Sequence, residues 1–558
     1  MKNQCNRRSF LKTTGAGLAG TGLGLSLPLA GCTSPVNGNS PVPEQLLRLE
    51  DGLAIAETLY GKVKGYVYRD IYTFKGIPYG ADTSGKNRFM PPMKPEAWAG
   101  IRTAYHYGPS APQTTPGLND WGWFRDHWNY DILSEDCLRI NVWTPGLSDS
   151  VKRPVLVWLH GGGFTSGNGQ EHDSYDGTAL SQKGDVVVCT LNHRLGPFGY
   201  ADLSAAGGAD FSASGVAGLL DIVAALEWVR DHIAHFGGDP GNVTIFGQSG
   251  GGAKVNCLLT MPSAKGLFHK AFCMSGSSLR MVDKELATRL GNSLLQESGL
   301  NSSRIRDLQQ MPWAALLQTA SLANQKLSEA WREASALGGR TGFAPSVDEV
   351  FLPRHPYDPD APALSANIPM MIGTTQNETS PSINQPELES ITLEGVKEKL
   401  RGTLLDKTGE VVDAYARQFP DKKPVEIWSI IASSNRRINA VRQSDLQSKH
   451  SAPVYHYWFA WQSPLDSGRV RAPHCNDISF WFNNTDRMDT HTGGGARPAR
   501  LADKMSEALL QFARSGNPNH AGIPEWPAYT QENGLTMILD DVCEVKVDPD
   551  KLARTLHS

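Results

Sequence analysis

Ser249 stands in the pattern Gly247-Gln248-Ser249-Gly250-Gly251, directly after the β-branched and aromatic run Val243-Thr244-Ile245-Phe246. A strand that turns sharply into a helix at G-x-S-x-G holds the serine hydroxyl above a sheet, where it can attack an electrophile. Side chains at Gly247 and Gly251 would clash there, because strand and helix pass close together. The stretch predicts a nucleophile elbow, although the motif alone is weak evidence in a long, glycine-containing chain.

A carboxylate and an imidazole occur later in the chain, where they could activate this serine. Glu378 follows the apolar segment 369–373, and His474 follows the apolar segment 454–459. A serine nucleophile needs a base within hydrogen-bond reach and a group that orients the base. In sheets that carry this elbow, the acid and then the histidine follow the serine along the chain. Singly, Glu378 could favour a helix start and His474 could be structural; together they predict a Ser249–Glu378–His474 triad.

A run of glycines offers a place for the negative charge that develops during such an attack. His160-Gly161-Gly162-Gly163-Phe164 directly follows the apolar run Val155–Leu159. The backbone N–H groups of consecutive glycines are unshielded and can point at a ligand. Gly162, Gly163 and Gly250 are therefore the predicted oxyanion hole, in which each donor lowers the barrier by roughly 3–4 kcal/mol. The alternative is a glycine turn that binds nothing.

The elements that must position these residues are strands and helices in alternation. Buried apolar strands that alternate with helices indicate an α/β fold with a mainly parallel sheet covered on both faces. The predicted strands, besides the one before Ser249, are Leu138–Val142, Val155–Leu159, Val186–Asn192, Ala271–Met274, 369–373 and Val454–Phe459. The predicted helices are Val216–Phe236, with its apolar residues on one face, and about Lys504–Ser515.

The remaining segments are expected to form a hairpin, connections and helical insertions around this sheet. Ala54–Val67 alternates as an antiparallel hairpin would, and Phe74–Tyr79 and Arg88–Pro92 are expected to be connections. Residues 283–340 and 386–450 lack strand character and are rich in helix formers. We expect these two stretches to be helical insertions over the carboxyl end of the sheet, within a single domain of residues 47–555.

The composition excludes several other classes of protein. The formal net charge is −4. Because four basic residues and no acid lie in the first 31 residues, the rest of the chain is more acidic still, and it has no basic excess that would attract nucleic acid. Eight cysteines in 558 residues do not make a disulfide scaffold. Cys189, Cys257 and Cys273 stand in apolar runs that favour buried free thiols. No histidine or cysteine cluster has metal-ligand spacing, so we expect neither a metal ion nor a cofactor.

Residues 1–31 have the pattern of an export signal. Asn6-Arg7-Arg8-Ser9-Phe10-Leu11-Lys12 resembles a twin-arginine signal, and Leu29-Ala30-Gly31-Cys32 resembles a bacterial lipobox. We therefore expect cleavage before Cys32, a lipid anchor on Cys32, a flexible polar tether through residue 46, and a location in the periplasm or cell envelope. The alternative is a plain cleaved signal with a coincidental cysteine.

Residues 118–130 concentrate aromatic side chains in one loop-like segment. They could rim a substrate pocket or form a hydrophobic plug, and the sequence favours neither. The candidate pocket residues are Trp121, Trp123, Phe124 and Trp128. Apolar and aromatic residues at a pocket mouth favour a medium-sized, neutral, partly apolar or aromatic substrate.

Taken together, these motifs resemble the type-B carboxylesterases, the cholinesterase-like branch of the α/β-hydrolases. The resemblance covers about residues 55–530. Besides the elbow and the glycine run, it rests on Phe74-Lys75-Gly76-Ile77-Pro78-Tyr79, Ser134-Glu135-Asp136-Cys137-Leu138, Asn192-His193-Arg194-Leu195-Gly196, Gly218-Leu219-Leu220-Asp221 and Phe236-Gly237-Gly238-Asp239-Pro240. It implies an α/β-hydrolase fold and the same triad and oxyanion hole. It also implies a second serine near the triad, Ser275, and structural ion pairs Arg88–Glu135 and Arg194–Asp221.

The chain departs from the family pattern at three positions. Gln248 replaces the glutamate that cholinesterases carry before the nucleophile, which disfavours a choline ester because a cationic head group needs that charge. Gly250 replaces the usual alanine, which the backbone N–H role tolerates. Cys137 matches a family disulfide cysteine, but no cysteine stands at the usual partner position in Gly108–Gln113, so we expect Cys137 to be unpaired.

We therefore expect a serine carboxylic-ester hydrolase. The same triad serves amidases, thioesterases and hydrolases of lactones, phthalate diesters or polyester fragments, and the motif does not separate these activities. The alternative from another class is a cholinesterase-like binding protein that has lost triad members. All three members are present here, which favours the enzyme.

Overall fold

Fifteen strands occur in the residues that the computed structural model describes, which are 45–114, 132–336 and 338–557. They are β1 (Leu47–Arg48), β2 (Ile55–Thr58), β3 (Gly61–Lys64), β4 (Tyr66–Tyr68), β5 (Ile71–Pro78), β6 (Ile101–Thr103), β7 (Arg139–Thr144), β8 (Arg153–Leu159), β9 (Val187–Leu191), β10 (Gly238–Gln248), β11 (Lys270–Met274), β12 (Met370–Thr375), β13 (Val454–Phe459), β14 (Leu535–Leu539) and β15 (Glu544–Val547). Twelve of these described strands form one sheet in the order β1-β4-β5-β7-β9-β8-β10-β11-β12-β13-β14-β15.

The centre of this sheet is parallel. From β9 to β14 in the sheet order, each strand pairs in parallel with the next. Strand β10 is one of these parallel strands. Every residue of β9, β11 and β12 is buried, as expected of parallel strands covered on both faces. Antiparallel strands extend both edges. The predicted mainly parallel α/β sheet is confirmed, and β2, β3 and β6 form a separate small sheet that contains the predicted hairpin.

Helices cover both faces of the sheet. They are α1 (Thr178–Gly184), α2 (Gly196–Tyr200), α3 (Ser204–Gly207), α4 (Ala217–His232), α5 (Gly250–Leu258), α6 (Lys284–Glu297), α7 (Trp313–Gln325), α8 (Ser328–Ala336), α9 (Leu393–Leu404), α10 (Thr408–Gln418), α11 (Pro424–Gln447), α12 (Ile478–Trp481), α13 (Asp489–Thr492), α14 (Ala496–Ser515) and α15 (Lys551–His557). Helices α6 to α8 occupy the stretch 283–340, and α9 to α11 occupy 386–450.

Two core clusters lie on opposite faces of the sheet. Along β8, Val155 and Val157 belong to one cluster and Leu156 and Trp158 belong to the other. Successive side chains of a strand point to opposite faces, so this division shows that both faces are packed. The central strands are therefore packed on both faces, and the loops after their carboxyl ends begin from this packed core.

Three sequence predictions differ from the observed elements. The segment Phe74–Tyr79, expected to be a connection, forms the end of strand β5; its pairing with β7 is interrupted by a bulge between Phe74 and Ile77, where Gly76 adopts a φ of +71°. The long predicted helix ends as α4 at His232, because its last turn is a 3₁₀ helix stopped by Gly237 at φ +73°. Helix α14 begins at Ala496 rather than near Lys504, because Pro498 falls in its first turn, where a proline is tolerated.

The two implied ion pairs form and are buried. Arg88 donates two hydrogen bonds of 2.6 Å to Glu135, and Arg194 donates bonds of 2.8 and 2.6 Å to the two oxygens of Asp221. No side chain of the four is more than 8% exposed. Removing one partner of such a pair leaves an uncompensated buried charge and costs about 3–5 kcal/mol. These pairs are part of the scaffold, as predicted.

The cysteines of the described residues carry no disulfide. Cys137, Cys189, Cys257 and Cys273 are all buried and free. The expectations of an unpaired Cys137 and of buried free thiols are therefore confirmed.

No single helix in the described part of the chain is long and apolar enough to cross a membrane. The stretches Ser204–Phe211 and Ser214–Phe236, bent by 90° where they meet, pass that test only as a pair and only by length and composition.

Candidate active site

Ser249 stands between the end of β10 and the first residue of α5, in a strained backbone conformation. Its φ of 56° and ψ of −120° are rare for a residue with a side chain. Its N–H is anchored by a hydrogen bond of 2.8 Å to the carbonyl of Met274 on the neighbouring strand β11. The turn therefore has the geometry of the predicted nucleophile elbow, in which sheet and helix together hold the strained residue.

The glycines on either side of this serine are required by close contacts. A Cβ added to Gly247 would lie 2.5 Å from the carbonyl carbon of Gly251, and one added to Gly251 would lie 1.9 Å from the carbonyl oxygen of Leu159. No side chain fits within these distances. The expectation that strand and helix pass too close for side chains at these positions is confirmed.

Glu378 and His474 form a buried hydrogen-bonded pair. His474 Nδ1 donates to Glu378 Oε2 over 2.5 Å, and the other carboxylate oxygen accepts from the backbone N–H of Thr375 at 3.1 Å. Glu378 lies three residues beyond the carboxyl end of β12, and His474 lies in the loop that follows β13. Because these strands are neighbours in the parallel sheet, their following loops meet above the same edge, and the carboxylate orients the imidazole.

The imidazole also contacts the residue before the nucleophile. The amide nitrogen of Gln248 lies 3.3 Å from His474 Nε2 and 3.2 Å from Nδ1. The amide oxygen accepts a hydrogen bond of 3.1 Å from the thiol of Cys475. Ser249 Oγ itself makes no hydrogen bond to a described residue, and the hydrogen-bond contacts between the elbow and the imidazole come from Gln248.

The ionisation of the pair follows from burial and charge. Burial by itself raises the pKa of Glu378, but the charge and hydrogen bond of His474, together with the guanidinium of Arg436, outweigh it and leave this pKa below its usual value. Burial and then Arg436 lower the pKa of His474, against the opposing effect of Glu378. The neutral imidazole beside an ionised carboxylate, which a general base requires, is therefore favoured at neutral pH.

The predicted oxyanion donors are close together and free to bind. The N–H groups of Gly162, Gly163 and Gly250 donate no hydrogen bond to any described residue. Gly250 packs so tightly on the glycine run that an added Cβ would lie 2.2 Å from the carbonyl oxygen of Gly163 and 2.5 Å from its nitrogen. Since the first N–H groups of a helix have no partner within it, the start of α5 adds to the electrostatic field at this point.

A buried lysine donates a hydrogen bond to the residue that precedes the glycine run. Lys254 Nζ donates to the backbone carbonyl of His160 over 2.8 Å and lies 6.0 Å from the centre of the Phe164 ring. Burial lowers the pKa of Lys254 to about 7, although the charge of Glu171 acts in the opposite direction. The sequence motifs did not predict a role for Lys254. The signal that could have revealed it is a lysine, the one charged residue of this helix, among mostly small and apolar residues.

Ser275 lies next to the predicted triad, where the resemblance places a second serine. Its backbone has a φ of +48°, and its N–H donates to the carbonyl of Gly373 over 2.8 Å. Its hydroxyl is buried and makes no hydrogen bond to a described residue, but it is close enough to contribute to the lowered pKa of Glu378. Its place beside the triad acid favours a role in positioning that acid.

Two arginines near the triad were not foreseen from the sequence. Arg436, on α11, places Nε 3.8 Å from Glu378 Oε2, and Arg340 lies over the ring of Phe164. Both belong to the helical insertions, whose contacts with the sheet leave no local pattern in the sequence. The candidate pocket residues Trp121, Trp123, Phe124 and Trp128, and the anchor residue Cys32, lie outside the described residues.

Ser249 lies in a strained turn above the carboxyl edge of a mainly parallel sheet, and Glu378 and His474 lie on loops beyond the same edge. This arrangement defines the class of α/β-hydrolases. Within that class, the model of the carboxylesterase family matches residues 53–552. The chain therefore belongs to the carboxylesterase family and is a carboxylic-ester hydrolase.

Individual relatives agree with this assignment over nearly their whole length. The para-nitrobenzyl esterase of Bacillus subtilis is 36% identical over 510 residues, which cover 90% of this chain and 97% of the relative. The phenmedipham hydrolase of Pseudarthrobacter oxydans is 32% identical over 90% of this chain and 98% of its own. A solved esterase of Clostridium hathewayi, described as able to hydrolyse aliphatic aromatic polyesters, superposes with a TM-score of 0.78 at 35% identity, covering 91% and 98% of the two chains.

Proposed function

We propose that this esterase works through an acyl-enzyme on Ser249. Ser249 Oγ attacks the ester carbonyl while His474 takes its proton, and Glu378 holds the imidazole and stabilises its positive form. The N–H groups of Gly162, Gly163 and Gly250 stabilise the tetrahedral oxyanion. His474 then protonates the leaving alcohol, and water repeats the cycle on the acyl group. The observation that carries the proposal is the 2.5 Å hydrogen bond between His474 and Glu378 beside the strained serine.

The substrate that we propose is a medium-sized, partly apolar or aromatic ester. The sequence favours a neutral one, and the relatives support an ester with an aromatic part: the name of one refers to a para-nitrobenzyl ester, and the solved esterase is described as hydrolysing aliphatic aromatic polyesters. Amides, thioesters, lactones and phthalate diesters would use the same triad. A panel of esters graded by acyl length and aromatic content, with one matched amide and one matched thioester, separates these substrates by kcat/KM.

Covalent labelling tests the role of the nucleophile. A fluorophosphonate probe reacts with an activated serine, so we expect stoichiometric labelling of the protein and none of Ser249→Ala. The variant is expected to lose at least about 10⁴-fold in kcat and to unfold at the same temperature as the parent. Ser204→Ala, in a short helix away from the elbow, is the matched control and is expected to label fully. Substantial esterase activity in purified Ser249→Ala would overturn the assignment.

We further propose that the enzyme is exported by the twin-arginine route and anchored through a lipid on Cys32. The support is the sequence pattern around Arg7, Arg8 and Cys32. Cys32→Ser is expected to move the protein from the membrane fraction to the soluble fraction of the cell envelope. Unchanged partition into membranes would contradict the anchor. The double variant with Arg7→Lys and Arg8→Lys is expected to block export of the folded enzyme.

A further inference from the structure

Two guanidinium groups lie close to the residues of the site: Arg340 has no ion pair with a described carboxylate, and Arg436 shares Glu378 with His474. Arg340 donates from Nε and Nη2 to the hydroxyl of Ser278, over 3.1 and 2.7 Å. Its Cζ lies 5.5 Å from the centre of the ring of Phe164, the residue after the glycine run. No carboxylate of a described residue forms an ion pair with Arg340, and its Nη1 donates to no described residue.

Arg436 approaches the same place from helix α11. Its Nη1 donates to the carbonyl of Ser275 over 3.4 Å. The carboxylate nearest to it is Glu378, 3.8 Å from Nε, and that carboxylate already accepts the short hydrogen bond of His474. The side chain of Arg436 is 46% exposed, so part of its charge faces open space.

Both arginines donate hydrogen bonds to the segment Ser275–Ser278, which packs on the elbow. Ser275 and Ser278 belong to the turn after β11, in which an added Cβ on Gly276 would lie 2.3 Å from the carbonyl oxygen of Ser249. Arg340 and Arg436 therefore reach the surroundings of the nucleophile from two different insertions. They also repel each other, since Arg436 contributes, after burial, to lowering the pKa of Arg340 to about 10. Arg340 remains charged at neutral pH.

This arrangement leaves positive charge beside the triad. Arg340, partly buried and without an ion pair to a described carboxylate, has lost part of its hydration with no anion to replace it, which is unfavourable. An incoming carboxylate would restore this interaction, and the planar guanidinium group suits a carboxylate because it can donate two parallel hydrogen bonds. The low dielectric constant of the site strengthens the attraction.

We propose that Arg340 and Arg436 form a subsite for a carboxylate, so that the enzyme prefers esters that carry a free carboxylate away from the scissile bond. The chemical class is the half-ester of a dicarboxylic acid. Hydrolysis of one bond of a diester or of a polyester chain leaves such a carboxylate on the acyl fragment, so the reaction that supplies the substrate is a first ester hydrolysis. The proposal rests on the proposed ester hydrolysis and replaces the neutral substrate that the sequence favours.

A pair of substrates that differ only in charge tests the subsite. 4-Nitrophenyl pentanoate and mono-4-nitrophenyl glutarate have acyl chains of the same length, but only the glutarate ends in a carboxylate. We expect kcat/KM to be higher for the glutarate, and Arg340→Gln to lower the ratio of the two values by about tenfold or more. Raising NaCl from about 0.05 to 0.5 M is expected to lower the same ratio, because salt screens the attraction.

A control variant on the same helix separates this subsite from general charge effects. Arg442, six residues beyond Arg436 on α11, is exposed and has no ion pair with a described residue. Arg442→Gln is expected to leave the ratio unchanged. Arg340→Lys keeps the charge without the planar group and is expected to retain an intermediate ratio.

Binding without turnover distinguishes the failure of this proposal from failure of the proposed reaction. The anilide of pentanoic acid and the monoanilide of glutaric acid mimic the two esters, and calorimetry in the Ser249→Ala background, which forms no acyl-enzyme, gives their dissociation constants. We expect tighter binding of the charged anilide, and loss of that preference in Arg340→Gln. A ratio near one, or a ratio that Arg340→Gln does not change, would overturn the subsite even if both esters are hydrolysed. If neither ester is hydrolysed but the charged anilide is preferred, the subsite stands and the proposed reaction fails.

Discussion

Gln248 directly contacts His474, with its amide nitrogen 3.3 Å from Nε2 and 3.2 Å from Nδ1. Because Nδ1 carries the proton that it donates to Glu378, the amide N–H can donate only to the lone pair of Nε2. A donor at Nε2 favours the neutral imidazole over its protonated form. Gln248 therefore acts on the imidazole that we propose as the general base, and the thiol of Cys475 donates to its amide oxygen.

Replacing this amide with a carboxylate should raise the pKa of His474. Gln248→Glu places a negative charge beside the imidazole, which stabilises the protonated form, so the acid limb of kcat/KM is expected to move to higher pH by about one unit. The measurement is the pH–rate profile with a neutral ester. Gln248→Met, which has a similar volume and no charge, removes only the amide donor and is the control; it should move the limb upward by less than Gln248→Glu does. An unmoved limb in Gln248→Glu would show that the contact does not act on the base.

The unmodified enzyme should lose activity only at rather low pH. The base is active when neutral, so kcat/KM falls as the pH drops through the pKa of His474. Burial and Arg436 hold this pKa below its ordinary value, which is about 6.5. We therefore expect the midpoint of the acid limb below about pH 6.5, measured in buffers of constant ionic strength. A midpoint clearly above neutral pH, or a profile that stays flat into strongly acidic buffers, would contradict the assignment of His474 as the base.

Adding one methyl group to the oxyanion hole should slow the chemical step. Gly250→Ala introduces the alanine that is usual in the family, but in this protein the new Cβ would meet the carbonyl oxygen of Gly163 at 2.2 Å, so the glycine run must shift away from the helix start. Because donors act only when they are placed at the oxyanion, kcat is expected to fall by about 10- to 100-fold with little change in KM. Gly409→Ala, where an added Cβ meets nothing within 4 Å, is the matched control and should keep full activity. Full activity of Gly250→Ala would show that the glycine run can shift without a loss of catalytic rate.

The buried lysine behind the glycine run should make stability depend on pH. The pKa of Lys254 is lowered in the folded protein to about 7 from its ordinary 10.5. Between these values the unfolded chain binds more protons than the folded one, so the free energy of unfolding rises with pH across this interval. Lys254→Met should flatten that rise by on the order of a few kcal/mol, measured by urea unfolding at several pH values across the same interval.

The exposed Lys449 provides the comparison for this experiment. Lys449→Met removes a lysine from the surface and is expected to leave the pH dependence of stability as it is in the parent. An equal slope in Lys254→Met and the parent would contradict a buried lysine with a lowered pKa.

Local patterns determined the parts of this protein that depend on short-range geometry. The alternation of apolar strands and helices predicted the parallel sheet, and G-x-S-x-G after a strand predicted the turn at Ser249, because both depend on the period and the size of neighbouring residues. Chain order then paired Glu378 with His474, 96 residues apart. Where a local pattern misled, at Phe74–Tyr79, glycine and proline marked a bulge and a strand end rather than a connection.

Only the tertiary structure decided what surrounds the triad. The contact between Gln248 and His474 joins residues 226 apart in the chain, and Lys254 reaches a carbonyl 94 residues before it. Arg340 and Arg436 come from two separate insertions, whose packing against the sheet depends on long-range contacts that no local period encodes. The sequence therefore determined the reaction through residues held at strand ends, while the charge around the reacting serine was decided by how the insertions fold over it.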